Sequence, residues 1–154
     1  MVLMNDQPFY SEGLRFSCKR CSACCRYESG YVFLSKTDVD ILAGALQIGY
    51  NEFLNRYCRQ VNVYGGEYIS LKEKTNFDCI FWDKICTVYQ WRPLHCRLFP
   101  FWSSILESAS SWALAGRDCP GINSGAIHSE QEIETCLKQR KMEKLIIKNT
   151  GDYK

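Results

Sequence analysis

No stretch of this 154-residue chain approaches the ~20 consecutive apolar residues that a membrane-spanning helix needs, and no block is of low complexity. An excess of either charge is also missing. The 19 Lys and Arg against 17 Asp and Glu leave a formal net charge of +2, too weak a field to imply nucleic acid or an anionic membrane, since those partners demand a concentrated basic footprint. The opening residues Met1-Val2-Leu3-Met4-Asn5-Asp6-Gln7-Pro8 carry neither a basic n-region nor a sustained apolar h-region. Nothing there marks export, and a cytoplasmic location is expected. There is no Gly-rich phosphate loop, no G-x-S-x-G elbow, no H-E-x-x-H helix and no recognisable methyl-donor site. Whether the chain is an enzyme therefore stays open.

What the chain has instead is sulfur. Ten cysteines include four within eight residues, Cys18-Lys-Arg-Cys21-Ser-Ala-Cys24-Cys25, followed by Cys79, Cys86, Cys96 and Cys119. Thiolates at C-x2-C-x2-C-C spacing can meet at one metal, whereas core packing imposes no such clustering. The alternative is a set of five disulfides. It sits poorly with the missing export signal and with adjacent Cys24 and Cys25, which cannot easily bridge to each other. Cys58 and Cys136 stand apart and are read as buried, inert thiols, Cys58 on the inner face of a helix.

Hydrophobic residues make up 46% of the chain and aromatics 14%, enough for one core, so a single domain over 1–154 is expected. The expected class is α+β, a small domain of short helices and β-hairpins organised around a cysteine-ligated metal centre. Tyr31–Leu34 reads as extended, and Ser35 with Asp38 as a capping box opening a helix through Val39, Leu42, Ala43 and Leu46 that stops at Gly49. Asn51 is read as the cap of a second helix carrying Phe53, Leu54 and Tyr57. Val61–Leu71 reads as a hairpin turning at Gly65-Gly66. A second hairpin is expected from Cys79 to Tyr89, turning at Asp83-Lys84 with Cys86 opposite Phe81. That register would put Cys79 and Cys86 on one face. Pro93 opens a short helix bearing Cys96, limited by Pro100. Ser129 and Glu132 form a second capping box for a C-terminal helix over about 129–147. The Lys138, Arg140, Lys141, Lys144 and Lys148 of this last segment are interleaved with Glu132, Glu134 and Glu143 and read as a solvated face, not a nucleic-acid patch.

The Cys18-x2-Cys21-x2-Cys24-Cys25 run, Cys79-x6-Cys86-x-Val-Tyr89, Arg92-Pro93-Leu-x-Cys96-Arg97-x-Phe-Pro100-Phe101 and Cys119-Pro-Gly121-Ile together resemble the CxxCxxCC (YkgJ-type) family of zinc- or iron-chelating domains. The likeness covers residues 16 to 125. It also extends to the cysteine-cluster region of flagellin lysine N-methylases, which implies an iron–sulfur centre. Ser22-Ala23 stands where the family often has Gly before the cysteine pair. The resemblance implies eight metal ligands: Cys18, Cys21, Cys24, Cys25, Cys79, Cys86, Cys96 and Cys119.

Zinc sites commonly pair two tight cysteine knuckles, and Cys79, Cys86 and Cys96 are spaced more widely than that. C-x2-C-x2-C with a distant Cys119-Pro120 echoes the run that holds a four-iron cluster, so iron or an iron–sulfur cluster is the preferred cofactor, with zinc the alternative. On the iron reading Cys18, Cys21 and Cys24 or Cys25 wrap the centre and Cys119 closes it. Arg92 and Arg97, beside Cys96, are read as cofactor-binding charges that offset a net-negative thiolate centre. His95 is read as a packing or supporting residue and His128 as a surface one. Trp82, Trp91, Phe99, Phe101 and Trp102 are expected to wall off solvent. The functional classes left open are a redox or cluster-assisted transfer role, and a non-catalytic zinc-stabilised interaction or metal-handling module.

Overall fold

The computed structural model describes residues 6–26 and 30–148; residues 1–5 of the stretch read for export lie outside them. In chain order the elements are β1 (Leu14–Phe16), a 3-10 turn over Ala23–Cys25, α1 (Lys36–Leu46), α2 (Tyr50–Tyr57), β2 (Cys58–Val63), β3 (Gly66–Leu71), β4 (Trp82–Asp83), β5 (Ile85–Cys86), a 3-10 turn over Tyr89–Trp91, α3 (Leu94–Leu98), α4 (Ala109–Asp118), β6 (Ile122–His128), α5 (Glu130–Met142) and β7 (Ile147–Lys148). The class is α+β, as expected. The chain gathers into two compact units, one of residues 6–21 and 98–141, the other of 22–26, 30–97 and 142–148.

In the second unit, α1 begins as its sequence dictates. Ser35 Oγ accepts from the Asp38 N–H and Asp38 Oδ2 accepts from the Ser35 N–H, completing the capping box. The helix ends at Gln47 in a left-handed conformation (φ 57°), two residues before the expected Gly49. Gly49 caps α2 instead, and Asn51 lies inside that helix. Val39, Leu42, Phe53 and Leu34 are fully buried with Ile69, Leu71, Phe81 and Val88; each large apolar side chain so placed contributes about 1.5–3 kcal/mol.

The β2–β3 hairpin starts earlier than Val61, pairing Cys58 with Leu71 and Val63 with Gly66. Its two-residue turn is Tyr64-Gly65, both at positive φ (51° and 72°), the geometry that matches strand twist; Gly66 is already in β3. Cys58 therefore belongs to a strand, not to the inner face of a helix. β7 adds to the other edge of β3.

The second hairpin is shorter and shifted by one residue from the expected register. Trp82 pairs with Cys86 and Asp83 with Ile85, because Lys84 alone forms the bend at φ 61°. Cys79 lies outside it, bridged to Glu73.

In the first unit, β1 and β6 form an antiparallel ribbon with Phe16 opposite Ile122. Tyr10, Phe101, Leu106, Trp112, Cys119, Ile122 and Ile133 make its core. Gly121 is required there, since a Cβ would stand 2.4 Å from the Ser17 carbonyl oxygen. The Ser129/Glu132 capping box opens α5, and Leu145 falls beyond its end. Lys138, Lys141 and Lys144 are exposed and Arg140 is half-buried.

Candidate metal centre

Five of the eight motif cysteines lie in the second unit and three in the first. None of the ten cysteines is in a disulfide.

The second-unit group is assembled by backbone as much as by side chains. The 3-10 turn over Ala23–Cys25 sets the Cys24 and Cys25 sulfurs 3.8 Å apart. Cys79 then donates its backbone N–H to the Cys25 carbonyl at 2.7 Å. The residues just outside that link are paired as well: Arg26 Nε donates to the buried Asp78 Oδ1 at 3.0 Å, and Asn76 Nδ2 donates to Asp78 Oδ2. The Arg26 guanidinium lies 3.7 Å over the Trp82 ring. Cys86 enters from β5, opposite Trp82. Cys96 rides on α3, whose Leu94 N–H is bonded by Asp38 Oδ1 at 3.1 Å. Asp38 thus caps α1 and also holds the start of the cysteine-bearing helix.

The thiols feel one another. The Cys24 thiol is drawn down to about 7, chiefly by its hydrogen bond with Cys25 and against burial, with a smaller pull from Arg92. Cys86 is drawn down to about 6, again first by Cys25, with Arg92 also favouring the thiolate. Cys25, on which both neighbours draw, is pushed far up, first by those two bonds. Burial raises Cys79 to about 11. Cys96 is also raised, by burial first and then by the charges of Cys79, Cys24 and Cys86. Each of these shifts names other members of the same five, with Arg92 the recurring cation.

Arg92 Nε donates to the Tyr89 carbonyl and its guanidinium stacks 3.8 Å over the Tyr89 ring, which fixes the charge in place. Arg97 is exposed and donates Nε to the Arg92 carbonyl.

In the first unit, Ser17 N–H donates to the Gly121 carbonyl and Phe16 faces Ile122. Cys18 leaves the ribbon at the end where Cys119 enters it. Cys18 and Cys21 are exposed, Cys119 is buried, and the Arg20 N–H lies 3.4 Å from the Cys18 sulfur. Such backbone N–H to sulfur contacts orient a thiolate.

Cys58 is buried in the hydrophobic core, its thiol raised to about 12 by burial, and Cys136 packs against the first unit's core, also raised by burial. His128 is half-buried: its Nε2 is 2.9 Å from the Phe16 carbonyl and its ring lies 5.1 Å from that of Phe101. The aromatic residues expected to wall off solvent differ in exposure. Trp91 is 43% exposed, and Phe101 is buried in the first unit's core, stacked on Trp112. Trp82 lies under the Arg26 guanidinium and pairs with Cys86 across the hairpin.

Among the described residues, no group of three or more His, Cys, Asp or Glu side chains stands ready in a metal-holding arrangement. The donor chemistry nevertheless fits a soft metal. The donors gathered in the second unit are all sulfur, and Asp78, the buried carboxylate beside them, is already bonded to Arg26 and Asn76. The Trp82 indole N–H is buried without a hydrogen-bond acceptor, and Trp82 pairs with Cys86 across the β4–β5 hairpin. Thiolates suit zinc and iron alike.

Sequence reasoning missed Arg26, Asp78 and the second role of Asp38. The only signal for the first two is that each directly adjoins a motif cysteine.

The sequence profile of the CxxCxxCC family, described as "Putative zinc- or iron-chelating domain", matches residues 17–145. The chain is 40% identical over 95 residues to the uncharacterized protein MJ0661 of Methanocaldococcus jannaschii, a match covering 60% of this chain and 48% of that protein. The chain thus spans about half the length of that curated relative. No solved structure matches it significantly. With the family pattern running from the first cysteine cluster to beyond the last helix, this chain belongs to the CxxCxxCC family.

Proposed function

We propose that this chain chelates iron, as an iron–sulfur cluster, through Cys18, Cys21, Cys24, Cys25, Cys79, Cys86, Cys96 and Cys119, with zinc the alternative occupant of the same thiolates. The observation that carries this reading is the placing of Cys25 and Cys79 side by side by the 2.7 Å backbone bond between them, with the Cys24 and Cys25 sulfurs 3.8 Å apart. An all-thiolate centre is net negative, and a nearby guanidinium stabilises it and raises its potential. Arg92 is assigned that role, and Arg97 supports it through the Arg92 carbonyl.

A bound cluster would supply one-electron chemistry or assist a transfer reaction. The chain's own residues would orient the thiolates, through the Cys79–Cys25 backbone bond and the Arg26–Asp78 pair, and compensate their charge.

Protein purified without oxygen is expected to contain iron and acid-labile sulfide, with a visible band that dithionite bleaches. Stoichiometric zinc with no sulfide and no visible absorbance would decide for a structural zinc module. Protein with no bound metal of either kind would remove the chelation reading.

A further inference from the structure

We propose that two adjoining turns of the second unit, residues 73–79 and 83–85, form the docking surface for an acidic one-electron carrier protein, with Phe77 and Ile85 as apolar anchors and Lys74 and Lys84 as steering charges. This rests on the iron–sulfur reading of the thiolates and names the partner of that centre.

Phe77 is a bulky residue in the left-handed region, at φ 68°, and Lys84 stands there too, at φ 61°. A non-glycine residue in that region costs on the order of 1–2 kcal/mol. The first turn is nonetheless tied shut. The Phe77 N–H donates to the Lys74 carbonyl at 2.9 Å, and the Lys74 N–H donates to the Asp78 carbonyl at 2.8 Å. Asn76 and Asp78 exchange two further bonds. The ring held this way is 49% exposed, and Ile85, which follows Lys84, is 62% exposed. Backbone strain that turns an apolar side chain toward solvent adds little to the core, and its use is presentation. Anchors on turns that are already rigid also avoid the ordering cost that flexible ones incur on binding.

Lys74 joins the two turns. Its Nζ donates to the Trp82 carbonyl at 2.6 Å, at the start of the β4–β5 hairpin. The anchors sit beside the cysteines, Phe77 two residues before Cys79 and Ile85 one before Cys86. Charge selects the partner. The carboxylates of Glu73 and Asp78 are taken up by Arg59 and Arg26, whereas Lys74 and Lys84 are exposed and stand in no ion pair among the described residues. Asp83 is the exposed counter-charge. Two cations against one carboxylate, around two apolar anchors, complement an acidic face. Electron-transfer encounters also use small surfaces, below about 1,200 Å², and rely on charge for fast association, which two turns can supply. In the encounter one electron leaves the reduced carrier and enters the oxidised cluster, and no bond or proton is exchanged.

The probe is a reduced, strongly acidic [2Fe–2S] ferredoxin, freed of its reductant and mixed by stopped flow with the oxidised full chain purified without oxygen. Visible absorbance follows the electron. The second-order rate constant is expected to fall about 10-fold or more between low salt and molar salt. At low salt Lys84→Glu should lower it roughly 3–10-fold. Phe77→Gly should lower it roughly 5-fold. Because glycine relieves the left-handed strain, that variant should melt no lower than the parent. Iron, acid-labile sulfide and reduction potential should match the parent in both variants.

A parent chain that holds its cluster but takes no electron from the ferredoxin would overturn the proposal and leave the iron–sulfur reading standing. So would rates that are the same in the parent and both variants, or that do not respond to salt. A chain purified without oxygen that holds neither iron nor sulfide would remove both.

Discussion

Arg26 and Asp78 form an ion pair at 3.0 Å whose members each adjoin a motif cysteine, so it brackets the backbone bond between Cys25 and Cys79. Asp78 is buried, Arg26 is partly exposed, and Asn76 supplies a second bond to the carboxylate. Asp78→Ala removes this ion pair and is expected to destabilise the metal-free chain by about 1–3 kcal/mol. It should also weaken metal binding about 10–100-fold, the usual effect of losing a group that orients ligands. Thermal denaturation of apo protein and a competitive metal titration measure the two. A variant with native stability and native affinity would show that the pair positions nothing.

Asp38 serves two helices through its two carboxylate oxygens, one at the start of α1 and one at Leu94. Asp38→Ala removes both, and a loss of about 1–2 kcal/mol is expected from the cap alone. Asp38→Asn keeps an acceptor oxygen and should recover part of the loss. Denaturant midpoints for the two variants give the comparison, and equal values would argue that one of the two bonds carries little.

Cys86→Ser should lower both metal content and melting temperature, because a metal that binds only the folded chain stabilises it, by about 2.7 kcal/mol at 100 times its dissociation constant. Cys136→Ser should leave metal content unchanged. Elemental analysis beside calorimetry would expose the error if both variants lost metal equally.

In metal-free protein the Cys24 thiol titrates at about 7 and Cys86 at about 6, while Cys79 sits at about 11. A depressed value means that the thiolate, the nucleophilic form, persists as pH falls until the folded value is reached. Iodoacetamide should therefore label exposed Cys24 at neutral pH, with Cys79 following only under alkaline conditions. Peptide mapping across a pH series reads this directly. Labelling of Cys24 that rises only above the ordinary thiol value of about 8.5 would contradict the arrangement.

Local signals were legible in the sequence and relationships across the chain were not. Ser35 with Asp38 and Ser129 with Glu132 announce their helices because a capping box is complete within four residues. The second hairpin was visible as a hairpin, but its register turns on Lys84 adopting positive φ, which a lysine does not advertise. The β1–β6 ribbon escaped notice, since Ile122–His128 contains Asn, Ser and Gly and shows no clean alternation. α4 did carry a signal in Ser108, whose hydroxyl accepts from the Ser111 N–H. At the candidate site the cysteines were plain from their spacing, while the split of their first cluster between Cys21 and Ser22 depends on which later segments each half meets.

The ribbon also bears on how the chain is made. Ser17 Oγ accepts from the Ala126 N–H across 109 residues, and the β7 edge of β3 is supplied from residues 147–148. At roughly 5–20 residues per second on the ribosome, the first cysteine pair waits about 5–20 s for the strand that holds its end of β1. Through that interval Cys18 and Cys21 emerge on a segment with no sheet partner, while most of the second unit is being synthesised. Metal delivered during translation would thus meet the later thiols on a partly formed scaffold and the earliest ones on an unpaired strand.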